Sequence, residues 1–128
     1  MGMLHWQDSF SVGHPQLDAE HQVLLALINR LQGLGGEVPS AVTEALGDLV
    51  RYVEEHFRHE EALLDQAAYP GLEGHRRLHL RFRLQLASFL ERCGDAPEAV
   101  LEELRTFLAA WWRHHVLEED LRYRSYLA

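Results

Sequence analysis

The sequence contains a single cysteine, Cys93, so it can form neither an intramolecular disulfide nor a zinc site built from thiolates. Basic residues are also scarce, because 12 of them stand against 20 acidic residues and leave a net charge of -8. This balance argues against binding to nucleic-acid phosphates or to anionic membranes. No apolar run approaches the ~20 residues of a membrane span, and the N-terminus lacks the features of a signal peptide. These absences predict a cytoplasmic protein that binds small molecules or other proteins.

Glycine and proline are confined to a few short stretches that separate long periodic segments. The periodicity predicts four helices, and short connections between them favour antiparallel neighbours. The predicted helices span about 17–32, 40–66, 73–93 and 97–118, after an irregular arm over about 1–13. A chain of 128 residues fits one domain with a substantial core. The prediction is therefore a single all-α domain over 1–128, folded as an antiparallel up-down-up-down four-helix bundle.

Each predicted helix has apolar residues at alternating spacings of three and four, which turn one face towards the bundle axis. Six positions on these inward faces hold polar side chains where leucine or valine is expected. They are His21, His56, Glu60, His75, His79 and His115. A buried polar group without a partner costs about 1–3 kcal/mol, so something must satisfy these side chains. The histidines outside this set include His59 and His114, which the pattern places at the surface.

A metal site explains the six residues together better than six separate hydrogen bonds do, although a lone core histidine is usually only hydrogen-bonded. His56 and Glu60 are four residues apart, as are His75 and His79, so each pair shares a helix face. In an antiparallel bundle all six lie towards one end. Imidazole and carboxylate without thiolate suit iron, zinc or manganese. Six ligands exceed what one structural zinc ion takes, and the sequence therefore predicts two metal ions.

The number of histidines also predicts a vacant coordination position. If two carboxylates and an oxygen atom bridge the ions, five histidines divide into three and two, and one ion keeps a position for a small ligand such as dioxygen. Glu60 supplies one carboxylate, and the second is expected among Glu118, Glu119 and Asp120, just beyond His115. Spacing does not choose among these three. Asp120, five residues after His115, would need a loosened helix end to point inward.

Several segments resemble the motifs of the bacterial hemerythrins, and the resemblance extends from Trp6 to Tyr123. The segments are residues 12–21 (VGHPQLDAEH), 56–61 (HFRHEE), 69–70 (YP) with His75 and His79, and 111–120 (WWRHHVLEED). The resemblance implies two iron ions joined by an oxo or hydroxo bridge. It implies iron ligation by His21, His56, Glu60, His75, His79, His115 and Asp120. In this assignment His75, His79 and His115 hold one iron, His21 and His56 hold the other, and Glu60 and Asp120 bridge them.

The function implied by the resemblance is reversible dioxygen binding, as an oxygen carrier, store or delivery protein with an oxygen-using enzyme downstream. Candidates for the wall of a dry oxygen pocket are Leu24, Phe82, Trp111 and Val116, which are equally well explained as core residues. Asp18 is expected either to hydrogen-bond a ligand imidazole or to cap the first helix. The arginines Arg76, Arg77, Arg81 and Arg83 are expected to form a solvated face.

Other classes of metal protein lack their signatures in this sequence. Ferritin-like oxidases use Glu-x-x-His pairs, zinc hydrolases use His-Glu-x-x-His, and c-type haem proteins use Cys-x-x-Cys-His; none of these occurs. The alternative that keeps the same site is a di-iron redox protein or a sensor handling oxygen, peroxide or nitric oxide. No catalytic residue is predicted. The expectation is therefore a protein that is not an enzyme, with at most weak peroxidase-like or oxidase-like activity.

Overall fold

The computed structural model describes residues 3–35 and 39–127, and within these ranges the regular structure is entirely helical. The main helices are α1 (Pro15–Gln32), α2 (Pro39–Gln66), α3 (Leu72–Arg92) and α4 (Pro97–Trp111). After α4 the chain continues as a π-helical segment (Trp112–Glu119), a 3-10 turn (Asp120–Tyr123) and the short helix α5 (Arg124–Leu127). Each main helix packs against the next in sequence and α4 returns to α1, so the four form a closed bundle.

The observed helices differ from the predicted ones at the start of the first helix and at the end of the fourth. The N-terminal arm contains a 3-10 turn at Asp8–Phe10, and α1 begins at Pro15, two residues before the predicted start. Of the breaker segment between the first two predicted helices, residues 36–38 lie outside the described part of the chain. The last predicted helix was placed over 97–118, whereas α4 ends at Trp111 and the remainder is π-helical. An apolar period alone does not reveal that change in hydrogen bonding.

The start of α1 is capped by His14, which was not predicted to cap a helix. His14 precedes the helix, and its Nδ1 accepts a hydrogen bond from the backbone N–H of Leu17 at 3.2 Å. Asp18 instead accepts hydrogen bonds from the Ser11 hydroxyl at 2.6 Å and from the Val12 backbone N–H at 2.9 Å. Asp18 therefore anchors the N-terminal arm to α1. Both roles predicted for it, helix cap and partner of a ligand imidazole, are wrong.

The hydrophobic core is divided into two clusters. The larger fills most of the bundle and includes Leu24 on α1 and Phe57 on α2. The smaller consists of Val12, Leu17, Leu64 and Tyr123. Since His21 lies between Leu17 and Leu24 on α1, and Glu60 lies between Phe57 and Leu64 on α2, the predicted polar positions separate the two clusters. The buried polar layer therefore lies across the bundle, with apolar packing on both sides.

Truncating a side chain in the larger cluster is expected to cost far more stability than truncating an exposed one of the same type. Leu46 is fully buried, so Leu46→Ala should lower the free energy of unfolding by about 2–5 kcal/mol, through lost apolar burial and a residual cavity. Leu84 on α3 is 63% exposed, and Leu84→Ala should change stability by no more than about 0.5 kcal/mol. Urea denaturation of both variants measures the difference, and equal losses would contradict this assignment of the core.

A search of the described helices for a membrane-spanning segment finds none that is both long and apolar enough.

Candidate metal centre

The polar residues predicted on the inward helix faces converge at one level of the bundle, together with Asp120. Every member of this set is at most 4% exposed. The set consists of His21 on α1, His56 and Glu60 on α2, His75 and His79 on α3, His115 in the π-helical segment and Asp120 in the following turn. Their side-chain nitrogen and oxygen atoms form two compact groups that could each hold a metal ion. Side chains far apart in the sequence are thus brought together by the bundle.

The two groups contain three and two histidines, respectively. In the three-histidine group, the ligand atoms of His75, His79 and His115 lie within 4.8 Å of one another and of Glu60 and Asp120. In the two-histidine group, those of His21, His56 and Glu60 satisfy the same limit. Glu60 belongs to both groups. Five imidazoles are therefore divided unequally around a shared carboxylate.

The two oxygens of Glu60 face different groups. Oε1 lies 2.6 Å from Nε2 of His75 and 3.1 Å from Nε2 of His79. Oε2 lies 3.3 Å from Nε2 of His21 and 3.4 Å from Nε2 of His56. The buried hydroxyl of Tyr123 also donates a hydrogen bond to Oε2 at 2.9 Å. A carboxylate that offers one oxygen to each group has the geometry of a bridge between two ions.

Asp120 spans the two groups in the same way. Its Oδ1 lies 2.9 Å from Nε2 of His75 and 3.2 Å from Nε2 of His115, and its Oδ2 lies 3.2 Å from Nε2 of His21. Despite these distances, neither oxygen accepts a hydrogen bond of acceptable geometry. These buried carboxylate oxygens lie close to imidazole nitrogens but form no hydrogen bond with them. Such an arrangement is expected when all of these atoms surround a common cation. Nitrogen and oxygen donors without thiolate fit iron, and also zinc or manganese.

The π-helical segment turns Asp120 inward. In an α-helix, residues five apart differ by about 140° around the axis, so Asp120 and His115 would face different directions. Here the backbone N–H of Asp120 donates to the carbonyl of His115, five residues earlier, which is the hydrogen bond of a π-helix. The other two candidates remain outside the groups. Glu118 is 62% exposed, and Oε1 of Glu119 faces the guanidinium of Arg122 at 3.7 Å instead of the cluster. Of the three acidic residues considered, the structure brings only Asp120 to the histidines.

Burial and charge together set the protonation of this cluster. Burial alone would raise the pKa of Glu60, but contacts with surrounding imidazoles lower it well below its usual value. Burial and the charge of Glu60 would raise the pKa of Asp120, and His115 and His21 lower it well below its usual value. Burial lowers the pKa of His21 and of His75, but the nearby carboxylates of Asp120 and Glu60 raise both to about 10. A metal ion entering this cluster must therefore displace protons from imidazoles.

Aromatic rings pack directly on the three-histidine group. The ring of Phe57 stacks on His79 at 3.7 Å between centroids, and Trp111 stacks on His115 at 4.9 Å. Phe82 in turn stacks on Trp111 at 3.9 Å. Two of the predicted pocket residues, Phe82 and Trp111, thus belong to this side of the site. Phe57 was not predicted, because it follows His56 directly and falls off the periodic inward face.

The other two predicted pocket residues are fully buried. Leu24 lies three residues after His21 on the inward face of α1, and Val116 directly follows His115. On the outside of the site, a cleft of about 350 Å³ reaches Trp111 and His115 between α3 and the π-helical segment. The three-histidine group therefore lies close to solvent at this cleft, whereas Leu24 and Val116 are enclosed.

Two carboxylates outside the predicted set also contact its histidines. Oε1 of Glu20 lies 2.8 Å from Nδ1 of His56, and Oε2 of Glu61 lies 2.7 Å from Nδ1 of His79. Each carboxylate is adjacent in sequence to a residue of the cluster, which is the signal that could have found it. His59, predicted at the surface, is only 31% exposed and its Nδ1 lies 2.6 Å from Oε2 of Glu20. His59 is therefore a partly exposed residue that contacts Glu20 from outside the cluster, and His114 is exposed.

Comparison with known proteins identifies the family. The model of the hemerythrin HHE cation binding domain matches residues 12–127. The chain belongs to the hemerythrin family. Among its relatives, the bacteriohemerythrin of Stenotrophomonas maltophilia is 32% identical over 124 residues, which cover 96% of this chain and 80% of that protein. The myohemerythrin of Riftia pachyptila is 30% identical over 122 residues, covering 95% of this chain and 92% of the relative.

Solved hemerythrin structures have the same fold as this chain. A crystal structure of a hemerythrin in which one leucine is replaced by tyrosine superimposes with a TM-score of 0.89, over 100% of both chains and at 23% identity. The predicted all-α four-helix bundle and the predicted hemerythrin resemblance are therefore both confirmed. Among the residues that the structure describes, the cluster of buried histidines and carboxylates could bind cations, which fits a cation binding domain.

Proposed function

We propose that this hemerythrin-family chain binds dioxygen reversibly at a pair of non-haem iron ions. The observation that carries the proposal is the unequal division of five buried imidazoles around two shared carboxylates. If Glu60 and Asp120 were shared by both ions and an oxo or hydroxo group completed the pair, the ion held by three histidines would have six ligands. The ion held by His21 and His56 would have five, and its remaining position could bind a small ligand.

The nitrogen and oxygen donors would also suit zinc or manganese. We propose iron because the proposed function requires a metal that can give electrons to dioxygen and take them back. Bound in the reduced state, a pair of iron ions supplies the two electrons that dioxygen takes up and returns. The protein holds the ions through His21, His56, Glu60, His75, His79, His115 and Asp120. Glu60 and Asp120 retain their negative charge in the buried site, which offsets part of the charge of two cations.

Reversible binding also requires that water be kept from the open position, because external proton donors favour irreversible oxidation. Leu24 and Val116 are fully buried beside residues of the cluster, and we assign them to the wall of the oxygen pocket. Phe82 and Trp111 complete the apolar surroundings on the three-histidine side. In this assignment the chain contributes no acid, base or nucleophile to a reaction. The proposed role is an oxygen carrier, store or delivery protein, rather than an enzyme.

The single cysteine is consistent with a protein that functions in a reducing compartment. Cys93 is buried as a free thiol in the larger core cluster, where a reducing cytoplasm would preserve it. We therefore propose a cytoplasmic protein that delivers dioxygen to an oxygen-using enzyme.

Oxygenation of the reduced, iron-loaded protein tests the function directly. We expect a visible absorption band that forms with air, disappears under vacuum and returns over repeated cycles, because the pocket excludes water. Absorption spectroscopy with parallel iron analysis measures it. The same experiment on protein loaded with zinc should show no band. Immediate irreversible oxidation, or steady turnover of peroxide or nitric oxide with an added reductant, would overturn oxygen carriage in favour of a redox protein.

A further inference from the structure

Each group of histidines is held from outside by its own carboxylate. Glu20 contacts Nδ1 of His56, which belongs to the two-histidine group, and Glu61 contacts Nδ1 of His79, which belongs to the three-histidine group. In both cases Nε2 of the same imidazole faces Glu60, at 3.4 Å for His56 and 3.1 Å for His79. The two contacts therefore fix opposite edges of each ring.

Both carboxylates act across a boundary between helices. Glu20 is on α1 next to His21, yet it contacts a histidine of α2. Glu61 is on α2 next to Glu60, yet it contacts a histidine of α3. Adjacent residues of a helix point about 100° apart, so the neighbour of an inward residue lies at the junction with the next helix. Each carboxylate thus orients an imidazole and joins two helices.

The surroundings of the two carboxylates differ. The second oxygen of Glu20 contacts Nδ1 of His59 at 2.6 Å, and the Tyr52 hydroxyl donates to the backbone carbonyl of Glu20 at 2.8 Å. Glu61 instead lies beside two arginines, with Oε1 at 3.4 Å from Nε of Arg76 and Oε2 at 3.8 Å from the guanidinium of Arg83. Glu20 is therefore supported by an imidazole, and Glu61 by guanidinium groups.

We propose that Glu20 and Glu61 are positioning residues that each stabilise a different metal position, Glu20 with His59 at the two-histidine position and Glu61 with Arg76 and Arg83 at the three-histidine position. The inference rests on the proposed metal centre and adds that each carboxylate stabilises only one of its two metal positions. An imidazole that donates its Nδ1–H to a carboxylate keeps its Nε2 lone pair directed at the metal, and loss of such a partner typically lowers metal affinity by 10–100-fold.

The test is a cobalt(II) titration of the metal-free protein under anaerobic conditions, followed by visible absorption and calorimetry. We expect Glu20→Ala to lower the affinity for one of two cobalt ions by about 10–100-fold, and to leave the other within about threefold. With one equivalent of cobalt, anomalous diffraction should place the ion at His75, His79 and His115 in Glu20→Ala. In Glu61→Ala it should favour His21 and His56.

Matched variants separate positioning from general damage. Glu55 and Asp65 are exposed carboxylates on the same helix as His56 and Glu60, and Glu55→Ala and Asp65→Ala should titrate like the unmodified chain. Glu20→Gln retains an acceptor oxygen and should recover part of the affinity lost in Glu20→Ala. His59→Ala should weaken the same position as Glu20→Ala, by a smaller factor. Denaturation of each metal-free variant establishes that it folds, and Glu20→Gln and Glu61→Gln replace any alanine variant that does not.

The outcomes distinguish this inference from the proposed function. If the unmodified chain binds two cobalt ions, but the alanine variants weaken both positions equally or neither, separate positioning is overturned and the di-metal centre stands. If the unmodified chain does not bind two ions, the di-metal centre itself is overturned, and the positioning roles with it.

Discussion

Replacement of Glu60 by alanine is expected to abolish stoichiometric iron binding. Glu60 is fully buried, and its two oxygens face four imidazoles from both histidine groups, so its removal takes one ligand from each proposed ion. It also removes negative charge from a site that must accept two cations. The measurement is iron analysis of the reconstituted protein, and we expect less than about a tenth of the iron bound by the unmodified chain, because both proposed ions lose a ligand.

Three further variants show whether this loss is specific. His79→Ala should also abolish stoichiometric iron, because it removes one of three imidazoles from its group. Glu118→Ala removes a carboxylate that lies close in sequence but is exposed, and it should retain full iron. His59→Ala should retain stoichiometric iron as well, since His59 contacts Glu20 and not the cluster. If all of these variants lost iron equally, the distinction between the residues that bind iron and the residues outside the cluster would be wrong.

Removal of the metal is expected to leave a protein whose stability falls as the pH rises above neutral. The pKa of His21 and of His75 is raised from 6.5 to about 10 in the folded chain. Their protonated forms therefore stabilise the fold fully below pH 6.5, and this contribution is lost as the pH rises towards about 10. The slope is at most about 1.4 kcal/mol per pH unit for each histidine.

The buried carboxylates give the opposite dependence at acid pH. Because the pKa values of Glu60 and Asp120 are lowered, their contribution is present above their usual pKa and is lost as the pH falls. The metal-free protein should thus be most stable from about pH 5 to 6.5. Metal ions require neutral imidazoles, so the loaded protein should gain stability over the metal-free protein as the pH rises. Urea denaturation of both forms between pH 5 and 9 measures this, and a constant gap would contradict the protonation assigned to the cluster.

The buried histidines could be predicted from the sequence because a helix repeats its geometry. His21, His56, His75 and His79 replace apolar residues at regular intervals, and each structural position follows from the period of its own helix, while His115 continues the period of α4 into the π-helical segment. The same holds for Glu60, four residues after His56. Short connections then restrict the way in which the helices neighbour one another. Local regularity and connectivity were enough to place these residues at one level of the bundle.

Asp120 could not be derived in this way, because its direction depends on a departure from regular helix. A hydrogen bond to His115, five residues earlier, turns it inward, and the period of α4 offers no sign of that change. Family resemblance singled it out where spacing left three acidic residues open. Tyr123 was missed for a related reason. It lies beyond the end of the last predicted helix, yet it is fully buried and donates to Glu60.

The sequence alone thus determined the helical bundle, the buried side chains of its inner faces and their nitrogen and oxygen chemistry, since these follow from the composition and period of each helix and from the short connections between helices. Only the tertiary structure decided which carboxylate spans both groups, which oxygen faces which imidazole, and that Glu20 and Glu61 contact histidines of neighbouring helices. These contacts join residues of different elements. Their geometry depends on how the helices pack and where one of them becomes π-helical, and the pattern of a single helix does not contain that information.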